Sequence, residues 1–292
     1  MKPSTVDAIV AAGLDPTDVA RVIRTALAED LGPEGLDLTS VATVPVDQFD
    51  TGDLVARADG VLAGIAVAGA VFELVDERAT ATPVVADGAR VRRGDVLATI
   101  TGPTRALLTA ERTALNLLCR MSGVATHTRA WADELAGTKT RVLDTRKTTP
   151  GLRALEKYAV RAGGGGNKRM GLYDVAMVKD NHARAAGGVA PAVARVRAAY
   201  PHAPVQVEVT SVAEAVAAVE IGATFLLCDN LTPRVLREVV EAVGDRAELE
   251  ATGNLTLEKA REYAETGVDY LSVGALTHSS PILDIALDLR GR

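Results

Sequence analysis

A repeating pattern that begins near residue 140 restricts the fold of this 292-residue chain more than any other feature. Short apolar runs each end in a polar residue or glycine, and each is followed by a loop and a helical pattern. The last residues of the six runs lie 21 to 35 residues apart and are Asp144, Lys179, Glu208, Asp229, Glu250 and Gly274. This spacing is typical of strand-and-helix units that build a parallel sheet.

The segments between the runs carry helix start signals. Ser211, with Glu214 three residues later, forms a capping box. Thr232 precedes a proline at the first helical position, and Thr256 precedes another helical pattern. Because the units lack a dinucleotide glycine fingerprint, the pattern favours a barrel of parallel strands over an open doubly wound sheet. In such barrels the site lies at the carboxyl ends of the strands, where this sequence places its charged residues.

The first third of the chain is predicted to be α+β. Residues 18–31 have the spacing of an amphipathic helix, and residues 109–135 predict a long one. Between them, residues 51–100 predict strands and turns around one helix at 64–74. The turn-rich stretch 87–103 resembles half of a biotinyl or lipoyl domain, but it lacks a lysine at a hairpin tip. We therefore interpret it as a structural β-segment.

Charge is concentrated in one segment of the chain. The net charge of −6 argues against a general affinity for nucleic acid or anionic membranes. Between Lys139 and Arg184, however, 11 basic residues stand against 4 acidic ones. This segment is either a cleft for a small polyanionic substrate or a solvated basic face, and the charge pattern alone leaves both open.

The sequence predicts a cytoplasmic protein with no membrane span. The longest apolar run, 61–72, has 12 residues, which is too short to cross a bilayer. No basic region followed by a long hydrophobic one marks a secretory signal at the N-terminus. Cys119 and Cys228 have neither metal nor redox spacing and are predicted to be buried thiols.

If the strand ends converge, one cleft combines cations with two carboxylates. Arg146, Lys147 and Lys179 suit the phosphates and carboxylates of a ligand that is anionic at several points. Glu208 and Asp229 could hold Mg²⁺, stabilise a developing positive charge, or form ordinary salt bridges. Together these groups suggest a phosphorylated sugar that is handled with magnesium.

A glycine-rich segment at 162–169 stands between two further motifs. Its sequence, AGGGGNKR, lacks the Ser or Thr that follows Lys in a P-loop, and its glycines are not spaced as in a dinucleotide site. TRKTTPGLR at 145–153 precedes it, and VKDNH at 178–182 follows it. The three segments in this order are much more specific than any one of them.

On these segments the chain resembles the quinolinate phosphoribosyltransferase family, the carboxylating nicotinate-nucleotide pyrophosphorylases of NAD biosynthesis. Further matching segments run through most of the chain: ERTALNLLCRMSGVAT (111–126), DTRKTTPGLRALEKYAV (144–160), GGGGNKRMGLYD (163–174), VEV (207–209), DN (229–230), EATGN (250–254) and TGVDYLSVGALTHS (266–279). The resemblance implies an α/β fold with an N-terminal α+β sandwich domain and an incomplete barrel of seven parallel strands. We expect the first domain at 1–112, the barrel at 113–278, and a tail at 279–292 that packs back on the first domain.

The resemblance also implies the reaction and its catalytic residues. The family transfers phosphoribosyl from phosphoribosyl pyrophosphate to quinolinate and releases pyrophosphate and CO₂, giving nicotinate mononucleotide. Lys147 and Lys179 would lie between the two substrates. Glu208 and Asp229 would hold Mg²⁺ through water and face the ribose as positive charge builds on its ring. These four residues are the expected catalytic set.

Substrate binding is expected to involve two subunits of a homodimer, with a higher oligomer left open. Arg112 from the partner subunit would join Arg146 and Arg169 in clamping the two carboxylates of quinolinate. The other residues expected to bind substrate are Thr145, Lys168 and His278, together with two loops that would cradle the 5-phosphate: Thr252, Gly253 and Asn254, and Val273, Gly274 and Ala275.

Lys168 departs from the family pattern, because that glycine loop normally has a histidine before the arginine. The departure leaves a paralogue that uses another aromatic or heterocyclic acid as the main alternative. A Schiff-base aldolase with Lys179 as its amine is a second alternative. A carrier module built on residues 87–103 is a third. Thr252 replaces a more usual serine and keeps the hydroxyl, and His182 is expected to order its loop.

Overall fold

The computed structural model describes residues 1–290, and contacts within it divide the chain into two units. The N-terminal unit contains Met1–Arg129, Thr149–Gly164 and the described residues from 279 onward. The barrel unit contains Ala130–Thr148 and Gly165–His278. This division differs from the predicted boundary at 112, which falls inside one continuous helix. Gly291 and Arg292, the end of the predicted tail, lie outside the described residues.

The helices and strands alternate along most of the chain. The helices are α1 (Pro3–Ala11), α2 (Pro16–Leu31), α3 (Leu38–Thr43), α4 (Ile65–Val75), α5 (Thr104–Glu134), α6 (Arg153–Ala162), α7 (Asp180–Ala186), α8 (Val189–Ala199), α9 (Val212–Glu220), α10 (Pro233–Val243), α11 (Ala260–Ala264) and α12 (Ala275–His278). The strands are β1 (Phe49–Ala56), β2 (Gly60–Val61), β3 (Thr80–Pro83), β4 (Arg90–Val91), β5 (Val96–Pro103), β6 (Arg141–Leu143), β7 (Ala176–Val178), β8 (Val205–Val209), β9 (Phe225–Asp229), β10 (Glu248–Thr252), β11 (Tyr270–Ser272) and β12 (Ile285–Leu289).

The predicted helices of the first third are present as α2, α4 and α5. Asp15 caps α2 by accepting the backbone N–H of Thr17 at 2.6 Å, and Pro16 occupies the first turn. Gly64 precedes α4 with a φ of 98°, a left-handed conformation that glycine adopts without strain. The long helix α5 begins five residues earlier than predicted, because β5 runs directly into it.

The N-terminal unit is built on a four-stranded antiparallel sheet. Its order is β12-β1-β5-β3, so the last strand of the chain completes the sheet of the first domain. Leu54 of β1 lies opposite Leu287 of β12. Helix α4 is buried along most of its length and contacts the sheet as well as α1 and α2. This arrangement of a sheet and helices agrees with the predicted α+β sandwich.

A buried ion pair in the N-terminal unit binds Thr149, in the middle of the TRKTTPGLR motif. Glu156 is fully buried and accepts Arg120 Nη2 at 2.8 Å. It also accepts the backbone N–H of Thr149 at 2.9 Å and the Thr149 hydroxyl at 2.7 Å. With hydrogen-bond partners on both oxygens, this carboxylate has a structural role.

The barrel unit contains a six-stranded parallel sheet, as the repeating pattern predicted. Its order is β6-β11-β10-β9-β8-β7. Strands that follow one another from β7 to β11 are neighbours, and the last of them pairs with the first, β6. This pairing curls the sheet towards a closed barrel and brings all its carboxyl ends to one side. The predicted α/β barrel fold is therefore confirmed.

The expected seventh strand is reduced to a single parallel bridge between Leu143 and Gly166. The Gly166 N–H donates to Val142 O at 2.8 Å, and Asp144 N–H donates to Gly166 O at 3.2 Å. The glycine run before this bridge has no side chains that could pack as a strand, so the pairing does not extend. The barrel remains open between this segment and β7.

The predicted helix starts have different outcomes. Ser211 Oγ accepts the Glu214 N–H at 3.3 Å, and Thr232 Oγ1 accepts the Val235 N–H at 3.5 Å, as expected for caps of α9 and α10. The predicted helix after Thr256 starts as a 3₁₀ turn, Leu257–Lys259, which leads into α11.

Cys119 and Cys228 are buried free thiols, as predicted. No helix within residues 1–290 is long and apolar enough to cross a membrane.

Candidate active site

The carboxyl ends of the barrel strands bring the predicted residues of the barrel unit to one side of the sheet. Glu208 lies next to the last residue of β8, and Asp229 is the last residue of β9. Asp229 lies opposite Thr252 of β10, which in turn lies opposite Ser272 of β11. Lys179 follows β7, and the loop with Arg146 and Lys147 follows β6.

Lys179 and Glu208 form an ion pair at two neighbouring strand ends. The Lys179 ammonium contacts Glu208 Oε2, and the side chains are 43% and 11% exposed, respectively. The Lys179 N–H donates to His182 Nδ1 at 3.1 Å at the start of α7. His182 therefore orders the KDNH loop, as predicted. The ion pair leaves the lysine partly exposed and able to face an anionic ligand.

Asp229 is held by a residue whose role the sequence did not predict. Asn230 Nδ2 donates to Asp229 Oδ2 at 3.1 Å, and Asn254 Nδ2 donates to Asn230 Oδ1 at 3.1 Å. Asn230 and Asn254 both have positive φ, 55° and 50°. Strained asparagines at two adjacent strand ends are typical of a functional loop. The DN dipeptide marked the position but not this link.

Gly253, which directly precedes Asn254, must be glycine. Its φ is +95°, and a Cβ atom would lie 2.3 Å from Asn230 Oδ1. The loop therefore presents bare backbone, which suits close approach of an anion. Thr252 Oγ1 donates to Ser272 O at 3.3 Å and ties the loop to β11.

The second predicted cradle, Val273 to Ala275, leads into the short helix α12. A Cβ at Gly274 would lie 3.0 Å from Lys147 Cδ and 3.1 Å from His278 Nε2. The Thr277 hydroxyl donates to Lys147 O at 2.8 Å. His278 is exposed and lies over Gly274.

The predicted substrate residues Lys168 and Arg169 differ in their surroundings. The Lys168 ammonium is bound to Glu250, a fully buried residue in the middle of β10. Burial lowers the pKa of Lys168, and Glu250 opposes part of that effect. Arg169 Nη1 donates to Val175 O at 2.9 Å, and the pKa of Arg169 is lowered first by burial and then by the charge of Arg146. The charge of Arg146 thus acts on Arg169, and in this electrostatic sense the two residues form an arginine pair.

The remaining predicted site residues lie on a loop and on a helix surface, and most of them are exposed or half-buried. Thr145 Oγ1 accepts the Lys147 N–H at 3.0 Å, which folds the loop after β6. Lys147 is exposed, and Arg146 is half-buried. Arg112 lies on α5 in the N-terminal unit, where it is exposed. Sequence reasoning did not assign roles to Asn230, Glu250 or Gln206.

The donor set for a metal ion is small. Within residues 1–290, no three His, Cys, Asp or Glu side chains cluster as a metal site. Glu208 and Asp229 are two carboxylates on adjacent strands, and Glu208 already pairs with Lys179. Mg²⁺ is commonly held by one or two carboxylates with waters and substrate phosphates. The residues present therefore fit a magnesium ion that arrives with a phosphorylated ligand.

Two family models match the chain and together cover most of it. The model of the quinolinate phosphoribosyl transferase N-terminal domain matches residues 37–122. The model of the C-terminal domain of the same family matches residues 124–288. The two models meet within α5, the helix that continues from one unit into the other.

Similar proteins match over nearly the whole chain. A carboxylating nicotinate-nucleotide pyrophosphorylase of Mycobacterium leprae is 51% identical over 278 residues, which cover 93% of this chain and 98% of the relative. A decarboxylating quinolinate phosphoribosyltransferase of Nicotiana tabacum is 40% identical over 93% of this chain and 82% of its own length. Among solved structures, NadC from Streptococcus pyogenes has a TM-score of 0.91 and 38% identity, covering 95% of this chain and 98% of that one.

Proposed function

This chain belongs to the quinolinate phosphoribosyltransferase family, and from that premise we propose that it transfers phosphoribosyl from phosphoribosyl pyrophosphate to quinolinate. It is a pentosyltransferase, a carboxylating nicotinate-nucleotide pyrophosphorylase of NAD biosynthesis. The observation that carries the reaction is the juxtaposition of the Lys179–Glu208 ion pair and Asp229 with bare-backbone loops at one end of the barrel.

The residues would act by position and charge. Arg146 and Arg169 receive the carboxylates of quinolinate, since guanidinium groups match carboxylates bidentately. Lys147 and Lys179 lie between the acid and the pyrophosphate and stabilise the departing charge. The pyrophosphate leaves from a sugar with oxocarbenium character, and the pyridine nitrogen forms the new bond at its anomeric carbon.

The carboxylates of Glu208 and Asp229 would act on the ribose during the same transfer step. Glu208 and Asp229 face the ribose and stabilise the positive charge that builds on its ring. The pyridinium formed by the transfer withdraws electrons from the adjacent carbon, so the neighbouring carboxylate leaves as CO₂ and a proton takes its place. No covalent enzyme intermediate is needed. The mechanism assigns no role to the two thiols, which are buried, and burial raises the pKa of both Cys119 and Cys228.

Magnesium is part of this proposal. Glu208 and Asp229 would hold it mainly through water, and it would neutralise charge on the pyrophosphate. The chemistry that this chain supplies remains the positioning of both substrates and the stabilisation of charge on the sugar.

A homodimer with shared sites is also part of the proposal. Arg112 is exposed on α5, a location that allows it to reach a neighbouring subunit. It would supply a third cation for the carboxylates of quinolinate in the partner's site. Assembly beyond a dimer and the cytoplasmic location stay predictions.

The test is an assay of the purified protein with quinolinate, phosphoribosyl pyrophosphate and Mg²⁺, in which nicotinate mononucleotide is followed by chromatography. Each component is omitted in turn. We expect product only when all three are present. Folded protein that forms no product would exclude the proposed reaction, and product without Mg²⁺ after treatment with a chelator would exclude the metal.

Replacing Gly253 with alanine tests the phosphate cradle. The new methyl group would collide with Asn230 Oδ1, and the left-handed backbone would be strained. We expect the KM for phosphoribosyl pyrophosphate to rise by about tenfold or more, because displaced backbone N–H groups no longer meet the phosphate. The KM for quinolinate is the internal control. Gly244→Ala, at another glycine with positive φ but open space around it, is the matched variant. An unchanged KM for phosphoribosyl pyrophosphate in Gly253→Ala would contradict the assignment.

Lys168 keeps one related alternative open, a preference for another aromatic acid. Turnover of a panel of pyridine carboxylates distinguishes the two, and a higher kcat/KM for another acid would favour the alternative. The Schiff-base alternative lacks support, because the Lys179 side-chain nitrogen is held by the Glu208 carboxylate. The carrier alternative lacks a lysine to modify in residues 87–103.

A further inference from the structure

Two buried carboxylates hold the segment that leads into Arg169, one from each side. Asp144 is fully buried and accepts the backbone N–H of Lys168 at 2.9 Å. It also accepts the side-chain amide of Asn167 at 2.6 Å. Glu250, likewise fully buried, binds the Lys168 ammonium. The backbone and the side chain of the same lysine are therefore fixed by different strands of the barrel.

Glu250 has a partner on each oxygen. Its Oε1 contacts the Lys168 ammonium, and its Oε2 accepts Gln206 Nε2 at 2.7 Å. Gln206 is also fully buried. A buried carboxylate that lost its cation would be strongly destabilising, so Glu250 requires a cation at position 168. The lysine that departs from the family pattern thus has a defined partner in the barrel interior.

Lys168, Gln206 and Glu250 form a layer below the predicted catalytic residues. Gln206 and Glu208 lie on the same face of β8, and Glu250 and Thr252 lie on the same face of β10, because side chains alternate along a strand. Gln206 and Lys168 also line a cavity of about 320 Å³ that reaches down to the first residues of β6, β9, β10 and β11. Among the described residues, the side-chain oxygen of Gln206, Oε1, is buried without a hydrogen-bond partner.

The layer bears directly on the arginine pair. Arg169 follows Lys168, and the charge of Arg146 acts on its guanidinium. Like charges repel each other, so in the absence of an anionic ligand an unrestrained Arg169 would move away from Arg146. The hydrogen bond from Arg169 Nη1 to Val175 O and the anchored Lys168 both oppose that movement.

We propose that Glu250 and Gln206 are positioning residues for the acid substrate. By fixing the Lys168 ammonium inside the barrel, they hold Arg169 beside Arg146, where the two guanidinium groups receive the carboxylates of the acid. Lys168 then determines acid binding through Arg169. The inference rests on the proposed function and adds residues that contact neither substrate.

The test compares Glu250→Gln with the wild type in the assay described above. Loss of the carboxylate frees Lys168, and Arg169 loses its anchor. We expect the KM for quinolinate to rise by about tenfold to a hundredfold, as displacement of a positioning group by about 1 Å does, while the KM for phosphoribosyl pyrophosphate stays within about twofold. Glu248→Gln is the matched control, since Glu248 lies on the same face of β10 two residues earlier and is exposed. It should leave both KM values unchanged.

A double variant separates positioning from stability. Lys168→Met with Glu250→Gln leaves no unpaired buried charge, so the melting temperature should recover relative to Lys168→Met alone. The KM for quinolinate should stay high, because Arg169 still lacks its anchor. If Glu250→Gln does not fold, the double variant and Gln206→Met carry the test, and Gln206→Met should give a smaller shift of the same kind.

The outcomes distinguish the two hypotheses. A wild-type protein that forms no product overturns the proposed function. An active wild type together with an unchanged KM for quinolinate in Glu250→Gln overturns the positioning role and leaves the proposed function intact. Recovery of both the melting temperature and the KM in the double variant would show that the ion pair serves stability alone, which also overturns the inference.

Discussion

Replacing Glu208 with glutamine is expected to lower kcat by about 10²-fold to 10³-fold, the range found when one group that stabilises transition-state charge is removed. In the proposed mechanism this carboxylate faces the ribose, where positive charge exists mainly in the transition state. The KM for quinolinate should change far less, because the proposal assigns the acid to the arginine pair. Steady-state kinetics with each substrate varied in turn measure both quantities.

The stability of this variant should be close to that of the wild type. Lys179 loses its partner, but its side chain is 43% exposed and remains solvated, so the ion pair contributes little to folding. Glu220→Gln, at an exposed position at the end of α9, is the control for loss of one carboxylate. An unchanged kcat in Glu208→Gln would remove this residue from the mechanism.

Replacing Arg112 with alanine is expected to abolish activity and to leave the proposed dimer folded. The residue is exposed on α5, so its removal leaves no cavity. Without the third cation the carboxylates of quinolinate lose a charged hydrogen-bond donor, and such donors contribute more than neutral ones. An activity assay measures the loss of turnover, the molar mass in solution shows whether the dimer is kept, and the melting temperature shows whether the variant is folded. Asn116→Ala, exposed one helical turn further along α5, is the matched control.

Mixing two inactive variants tests whether sites are shared. In a heterodimer of Arg112→Ala with Lys147→Ala, one of the two sites has an intact Lys147 and an intact Arg112 from the partner. Random exchange in a two-fold symmetric dimer should therefore restore about a quarter of the wild-type activity. Heterodimers that are detected by native mass spectrometry yet stay inactive would place Arg112 outside the partner's site.

The barrel was predictable because each of its strands can be recognised from a short stretch of sequence. Each strand is a short apolar run, and each run ends at a polar residue or glycine that lies within two residues of the end of the strand; the largest offsets are Glu250, two residues before the end of β10, and Gly274, two residues after β11. Parallel strands with helical connections then place these ends on one side. Lys179, Glu208 and Asp229 were found in this way without knowledge of any contact between them.

The number of strands and the links within the site were not predictable in the same way. The Gly163 to Gly166 run has no side-chain pattern, so the sequence does not reveal that it forms one bridge. Asn230 is visible as part of a DN motif, but its hydrogen bond to Asn254 depends on two loops from adjacent strands. The sequence places a polar residue after a strand, but it does not reveal which side chain from another loop that residue will contact.

Lys168 shows most clearly where local information ends. The sequence alone determined that a cation stands next to Arg169 in a glycine-rich loop at the barrel's site, since residue type and order are written in the chain. Only the tertiary structure decided that this cation binds Glu250, which lies 82 residues away, inside the barrel. The reason is physical: a buried charge takes its partner from whatever the closed sheet places within reach, and closure depends on the pairing of every strand.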